Sequence, residues 1–231
     1  MLDPDKLKRD ALAKTVALAN KSEVDFIFVG GSLLVSQEFE NTIIEIKKRT
    51  KIPVVIFPGS PLQISNQANA ILFLSLISGR NADLLIGQQI VAAPYLKASS
   101  LEILPTGYML IDSGKPTTAQ YISNTLPIPA DKPDIAACTA LAGEMLGLKL
   151  IYLDGGSGAK NPVSAEMIRK VRQTISVPLI VGGGIKTPEN AYAACKAGAD
   201  IIVVGNAAEK DFSLIKKISY MFETNRMKEF T

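Results

Sequence analysis

YLDGGSGA at positions 152–159, VGGGI at 181–185 and VVGNA at 203–207 each close an apolar run and open onto a helical pattern. Glycine is required where the backbone turns left-handed or must lie close to a ligand. A strand, a glycine turn and a helix, three times in succession, bring backbone N–H groups and helix N-termini to one end of a sheet. That arrangement suits a phosphate group. In a TIM (β/α)8 barrel the loops after the last strands form such a site at the C-terminal face. Turn geometry alone is the plainer reading of any one of these glycine runs; three in series favour a ligand site.

Working outward, apolar runs at residues 25–31, 54–57, 71–77, 102–112, 148–153, 179–181 and 200–204 read as buried strands. They alternate with helical patterns at about 3–20, 38–49, 84–91, 135–146, 165–174, 188–197 and 212–222. In the first helix Leu7, Ala11, Leu12 and Val16 face inward. Pro94 is expected to end or kink its helix, and Pro105-Thr106-Gly107 to bend the fourth strand near Tyr108. A long proline-bearing connection through Pro116, Pro127, Pro129 and Pro133 follows. Unbroken strand–helix alternation predicts a parallel sheet with helices outside, an α/β fold of the TIM-barrel type over residues 1–231 as one domain.

Seven strands are accounted for, and an eighth belongs before Asp3. Only Met1 and Leu2 stand there, so the expectation is a modified barrel lacking most of strand 1, with residues upstream of Met1 in the native protein. An open barrel would expose an apolar edge.

Composition narrows the chemistry. Hydrophobic residues make up 47% of the 231, enough for a sizeable core, yet every apolar run is too short to span a bilayer. No secretory leader is visible, and Cys138 and Cys195, set among alanines, read as buried thiols of a reducing cytoplasm. A net charge of +3 with scattered basic residues and no tryptophan argues against nucleic-acid binding. The chain contains no histidine, which removes Ser-His-Asp triads, Cys-His dyads and histidine zinc sites together.

LDPDK at 2–6, FVGGS at 28–32, PTGY at 105–108 and the three glycine runs, in this order, closely resemble the geranylgeranylglyceryl phosphate synthase family, which includes the bacterial heptaprenylglyceryl phosphate synthases. The likeness spans essentially the whole chain. It implies Mg2+-dependent transfer of a polyprenyl group, geranylgeranyl diphosphate being the favoured donor, to sn-glycerol 1-phosphate through an ether bond, in phospholipid biosynthesis. A homo-oligomer, dimer or hexamer, is implied, with any membrane contact peripheral. By the same resemblance Asp3 and Ser32 bind magnesium. Glycerol phosphate maps to Tyr152, Leu153, Asp154, Gly155, Gly156, Ser157 and Gly158, with Gly183, Gly184, Gly205 and Asn206. The family often carries a lysine two residues before the aspartate of LDP, where Met1 stands here, and the YLDGGSG form is that of its second subgroup.

The residues suit this chemistry. Magnesium takes few carboxylate or hydroxyl ligands and completes its octahedron with water and phosphate oxygens, as a sparse Asp3/Ser32 pair would allow. Asp3 could equally be a helix cap, and Ser32 a loop hydroxyl. Asp154, at a strand end on the phosphate face, is the candidate for orienting the glycerol hydroxyls and accepting the proton of the attacking one. Its plainer reading is a turn cap. Tyr108 is the second catalytic candidate, lining the pocket where allylic cation character develops; inward packing is its alternative. Leu85, Ile90 and Val91 are candidates for the floor of a prenyl groove or, equally, an outer helix face. A phosphosugar isomerase or synthase on the same barrel, and a catalytically silent phosphoglycerol binder, stay open as other readings.

Overall fold

The computed structural model describes residues 1–6, 9–211 and 213–228. Leu7, expected to face inward, and Phe212, at the start of the last expected helix, lie outside the described residues. The strands are β1 (Ile27–Val29), β2 (Val54–Ile56), β3 (Ala70–Leu76), β4 (Glu102–Leu110), β5 (Leu150–Asp154), β6 (Leu179–Gly182) and β7 (Ile201–Val203). They form one parallel sheet in the order of the sequence. The helices are α1 (Arg9–Lys21), α2 (Phe39–Lys47), α3 (Gln88–Lys97), α4 (Thr118–Ser123), α5 (Pro133–Met145), α6 (Ala165–Arg172), α7 (Pro188–Lys196), α8 (Asn206–Lys210) and α9 (Ser213–Lys228), with a π-helical turn at Asp83–Gly87 ahead of α3. No described helix is long and apolar enough to cross a membrane.

Met1 and Leu2 stand where the eighth strand is expected, between β7 and β1. Leu2 bridges Val29 in parallel, donating to Phe28 O (2.7 Å) and accepting from Gly30 N (3.1 Å). On the other side the Met1 α-ammonium donates to Val204 O at 2.8 Å, just past β7. The exposed edge that a missing strand would leave is therefore capped by Met1 and Leu2.

Strand residues alternate between two cores. Ile27, Val29, Val54 and Ile56 face α1, α2 and α3, while Met109, Ile151, Leu153, Leu179 and Val181 face α5 and α6. Phe28, Val55, Phe57, Leu72, Tyr152, Ile180 and Val203 fill the barrel interior. Both faces are apolar because helices cover one and the closed barrel covers the other, which is why the strands read as continuous hydrophobic runs.

Three expectations are corrected. β4 is not interrupted at Pro105: its register against β3 and β5 is unbroken. The Pro105 carbonyl accepts from Lys149 N at 2.8 Å, on the flank where β5 has yet to begin, so the missing N–H removes no ladder bond. Pro94 does not end helix α3, which runs on to Lys97. The proline-bearing connection contains α4, started by a capping box in which Thr117 accepts from Gln120 N and the Gln120 side chain accepts from Thr117 N.

Candidate active site

At the C-terminal ends of the strands the loops enclose a cleft of about 1140 Å3. One limb lies among the glycine turns: Gly156, Ser157 and Gly158 after β5, Gly183 and Gly184 after β6, Gly205 and Asn206 after β7 all line it. These are packed into contact. Gly183, at φ +78°, lies so close that a Cβ there would stand 2.7 Å from Gly155 N and Gly156 N and 2.8 Å from Asp154 Oδ1. Only glycine permits both that conformation and that approach. Ser157 Oγ and the Asn206 side-chain amide are paired at 3.1 Å, joining the first turn to the third. The backbone N–H groups of Ser157 and Gly158 donate no hydrogen bond within the described residues, leaving them available to an anion.

Asp154 ends β5 at the centre of the cleft. Its Oδ2 accepts from the Tyr108 hydroxyl at 2.6 Å and its Oδ1 from Gly156 N at 2.7 Å. Burial pushes its carboxyl above the ordinary range, and the hydrogen bonds from Tyr108 and Gly156 pull the other way. Burial, together with the Asp154 charge, also holds the Tyr108 hydroxyl well above its usual value, so it stays a donor. A turn cap is therefore only part of what Asp154 does: one oxygen caps the turn and the other is oriented by a tyrosine from the neighbouring strand.

Beneath the carboxylate lies an aromatic floor. Phe57 stacks on Tyr152 (centroids 5.3 Å), and Tyr108 meets both edge-on at 5.7 and 5.5 Å. Tyr152 is almost wholly buried, its ring part of the interior core and its hydroxyl against Gly182, although the ring reaches the cleft wall. Leu153 and Gly155 are not brought to the cleft. The pleat turns Leu153 outward to the α5–α6 layer, and Gly155 sits behind Gly183.

The far limb is apolar and runs under the loops after β1 and β2. Ile64, Ile71, Phe73, Leu84, Ala92 and Leu96 line it. Ile90 and Val91 are instead exposed on the outside of α3, and Leu85 borders a separate surface groove. The π-helical turn adds a residue before α3, so a 3.6-residue period drawn through 84–91 assigns the wrong face.

Asp3 and Ser32 both line the cleft. The Asp3 carboxylate faces the loop after β1, so that a Cβ on Gly31 would lie 3.4 Å from Oδ1. Its Oδ2 pairs with Lys6 Nζ at 2.7 Å. The neighbouring Asp5 is committed elsewhere: it accepts from Val35 N, Ser36 N and Ser36 Oγ, bonds that hold its carboxyl below the usual value. The described residues hold no group of three or more His, Cys, Asp or Glu able to bind a metal. Two basic residues given no role from sequence also line the cleft, Lys115 after β4 and Lys186 directly after the VGGGI run. Their signal was position, a lysine in a loop at the C-terminal end of a barrel strand.

Fold and site together define an α/β barrel with three glycine turns at the C-terminal ends of its last strands and an apolar groove beside them. The chain belongs to the PcrB family, whose model matches residues 1–224. It is 58% identical over 219 residues to the geranylgeranylglyceryl phosphate synthase of Spirosoma linguale, covering 95% of this chain and 88% of that one. Its identity to the synthase of Thermococcus kodakarensis is 44%, with 98% and 89% covered. The crystal structure of (S)-3-O-geranylgeranylglyceryl phosphate synthase from Thermoplasma acidophilum, in complex with substrate sn-glycerol-1-phosphate, superposes with a TM-score of 0.89 at 36% identity, covering 96% of this chain and 90% of that one.

Proposed function

We propose that this protein is a prenyltransferase that joins sn-glycerol 1-phosphate to geranylgeranyl diphosphate through an ether bond. The observation that carries the reading is the place of the Asp154–Tyr108 pair, in one cleft with three glycine turns and an apolar groove. Glycerol phosphate sits with its phosphate on Gly156–Gly158, Gly183–Gly184 and Gly205-Asn206, and its hydroxyls towards Asp154. The prenyl tail occupies the apolar limb, with its diphosphate at Asp3 and Ser32.

In the reaction the attacking glycerol oxygen forms a bond to the allylic carbon while the carbon–oxygen bond to diphosphate breaks. Asp154 accepts the hydroxyl proton, and the electron pair of the broken bond leaves with diphosphate. A carboxylate with a raised pKa is better matched to this proton transfer than an exposed one. Tyr108 keeps the acceptor oxygen aimed. The faces of Phe57, Tyr108 and Tyr152 supply negative quadrupole where positive charge develops on the allylic carbon.

Mg2+ fits the donors present. Asp3 and Ser32, which line the same cleft, would supply the oxygen donors, and a sparse protein ligand set is the habit of magnesium ions that also bind phosphates. Bound there, Mg2+ would neutralise charge on the departing diphosphate. Lys6, already paired with Asp3, adds a second cation there.

The test is an assay with labelled sn-glycerol 1-phosphate and prenyl diphosphates of graded length, with Mg2+ or with EDTA. Metal-dependent, organic-soluble ether product is expected. A folded protein that binds glycerol phosphate but makes no ether with any donor would overturn the reading.

A further inference from the structure

The three glycine turns bring no formal positive charge to the phosphate, and Asp154 sets a carboxylate on the same face. A phosphate held there would meet repulsion and no cation from Gly156–Gly158, Gly183–Gly184 or Gly205-Asn206. The unfilled space above Gly158, where φ is +76°, has two neighbours. A Cβ at that position would lie 3.8 Å from Lys115 Nζ and 4.0 Å from Asn206 Nδ2, with no other heavy atom outside the adjoining residues within 4 Å. An ammonium and an amide thus border one open volume beside the unpaired N–H groups of Ser157 and Gly158.

Lys115 is held for this position. Ser113, buried just before it, accepts from Asn161 N at 3.1 Å, and Gly114 N donates to Asp112 Oδ1 at 2.9 Å. Buried Thr117, just after it, packs its side chain on Gly156 and caps α4. The loop after β4 therefore rides on the glycine turn after β5, and the lysine between the two anchors extends over it. Lys115 forms no ion pair with any carboxylate among the described residues, whereas Lys186 spends its ammonium on Lys160 O at 2.8 Å.

We infer that Lys115 is a binding residue for the phosphate of the glycerol substrate, offsetting the Asp154 charge and giving the site its preference for a phosphorylated glycerol. The inference rests on the function proposed above. Lys115 is exposed and outside the core, so Lys115→Met is expected to melt like the parent.

Calorimetric titration with sn-glycerol 1-phosphate alone, and with inorganic phosphate, should show affinity about ten- to a hundredfold weaker in Lys115→Met. Lys115→Arg should restore most of it, and added NaCl should weaken the parent more steeply than the Met variant. In turnover, KM for glycerol phosphate should rise, with KM for the prenyl donor unchanged. Unaltered glycerol phosphate affinity in Lys115→Met, or a rise confined to the KM of the donor, overturns the inference. Ether product from the parent tests the reaction separately: a parent that binds glycerol phosphate, weakens on loss of Lys115 and makes no ether leaves the phosphate assignment standing while the prenyltransferase reading fails.

Discussion

In the proposed reaction the two limbs of the cleft recognise their contents in different ways. In that reaction the turns after β5, β6 and β7 hold a small anion with the backbone, the first two through left-handed glycines at Gly156, Gly158, Gly183 and Gly184. The limb under the loops after β1 and β2 offers only shape, set by Ile64, Ile71, Phe73, Leu84, Ala92 and Leu96. Backbone recognition of charge requires one residue type at a fixed spacing. Shape recognition of a hydrocarbon is met by any apolar side chain of suitable volume. Asp154 stands between the limbs, and substitutions on either side should separate what each contributes.

The largest effect is expected at Asp154 itself. Asp154→Asn should lose about 10²–10⁴-fold in turnover with both substrates still bound, measured in the ether assay. Burial raises the Asp154 pKa, so the folded chain holds a proton more tightly than the unfolded one. The stability this gives is complete below the unfolded pKa and is lost as pH rises through the folded one. Asn escapes that loss, so the variant should also melt at a higher temperature than the parent at neutral pH. A lower melting temperature there would count against a destabilised carboxylate.

Gly183→Ala attacks the phosphate limb and the edge of Asp154 that borders it. A Cβ there would press on Gly155 N, Gly156 N and Asp154 Oδ1 from a left-handed backbone, at about 1–3 kcal/mol of strain. Glycerol phosphate affinity should fall by at least about tenfold, with the donor KM little changed; equal losses for both substrates would mean that the limbs are not independent. Asp3→Ala should raise the Mg2+ concentration needed for half-maximal turnover about tenfold and leave glycerol phosphate binding intact, read from a metal titration beside calorimetry.

Tyr108→Phe sharpens the middle of the comparison. The hydroxyl's hydrogen bond lowers the Asp154 pKa, so its removal raises that pKa further. The acid limb of the kcat–pH profile should therefore move to higher pH, with turnover down about tenfold on the acid side and less at alkaline pH. A profile lowered equally at all pH values would leave Tyr108 a packing residue. The smallest effect should come from the apolar limb. Ala92→Phe fills part of it and should reduce turnover of the longest accepted donor about threefold to tenfold against shorter ones, with KM for glycerol phosphate unchanged.

The same contrast explains what could be read before the fold was known. The three glycine turns and the place of Asp154 at the end of β5 were legible because each needs particular residue types in a particular order along the chain. The groove was not. Leu84, Ala92 and Leu96 differ in no local way from Leu85, Ile90 and Val91, and a π-helical turn decides which set faces inward. Lys115 escaped notice for a related reason: a lysine between Gly114 and Pro116 resembles any solvated loop charge until β4 and β5 are paired and its ammonium arrives over Gly158. Leu153 shows the reverse case, a residue inside a glycine-turn motif whose side chain the pleat sends to the other face.

By itself the sequence determined the alternation of buried strands and helices, the glycine turns at three successive strand ends and the absence of histidine chemistry, because periodicity and backbone conformation are local properties. The tertiary structure alone decided that Met1 and Leu2 stand between β7 and β1, that the Tyr108 hydroxyl meets Asp154, and which face of α3 lines the groove. Each of those depends on which residues a closed parallel sheet makes neighbours across long stretches of chain, and no local pattern encodes that distance.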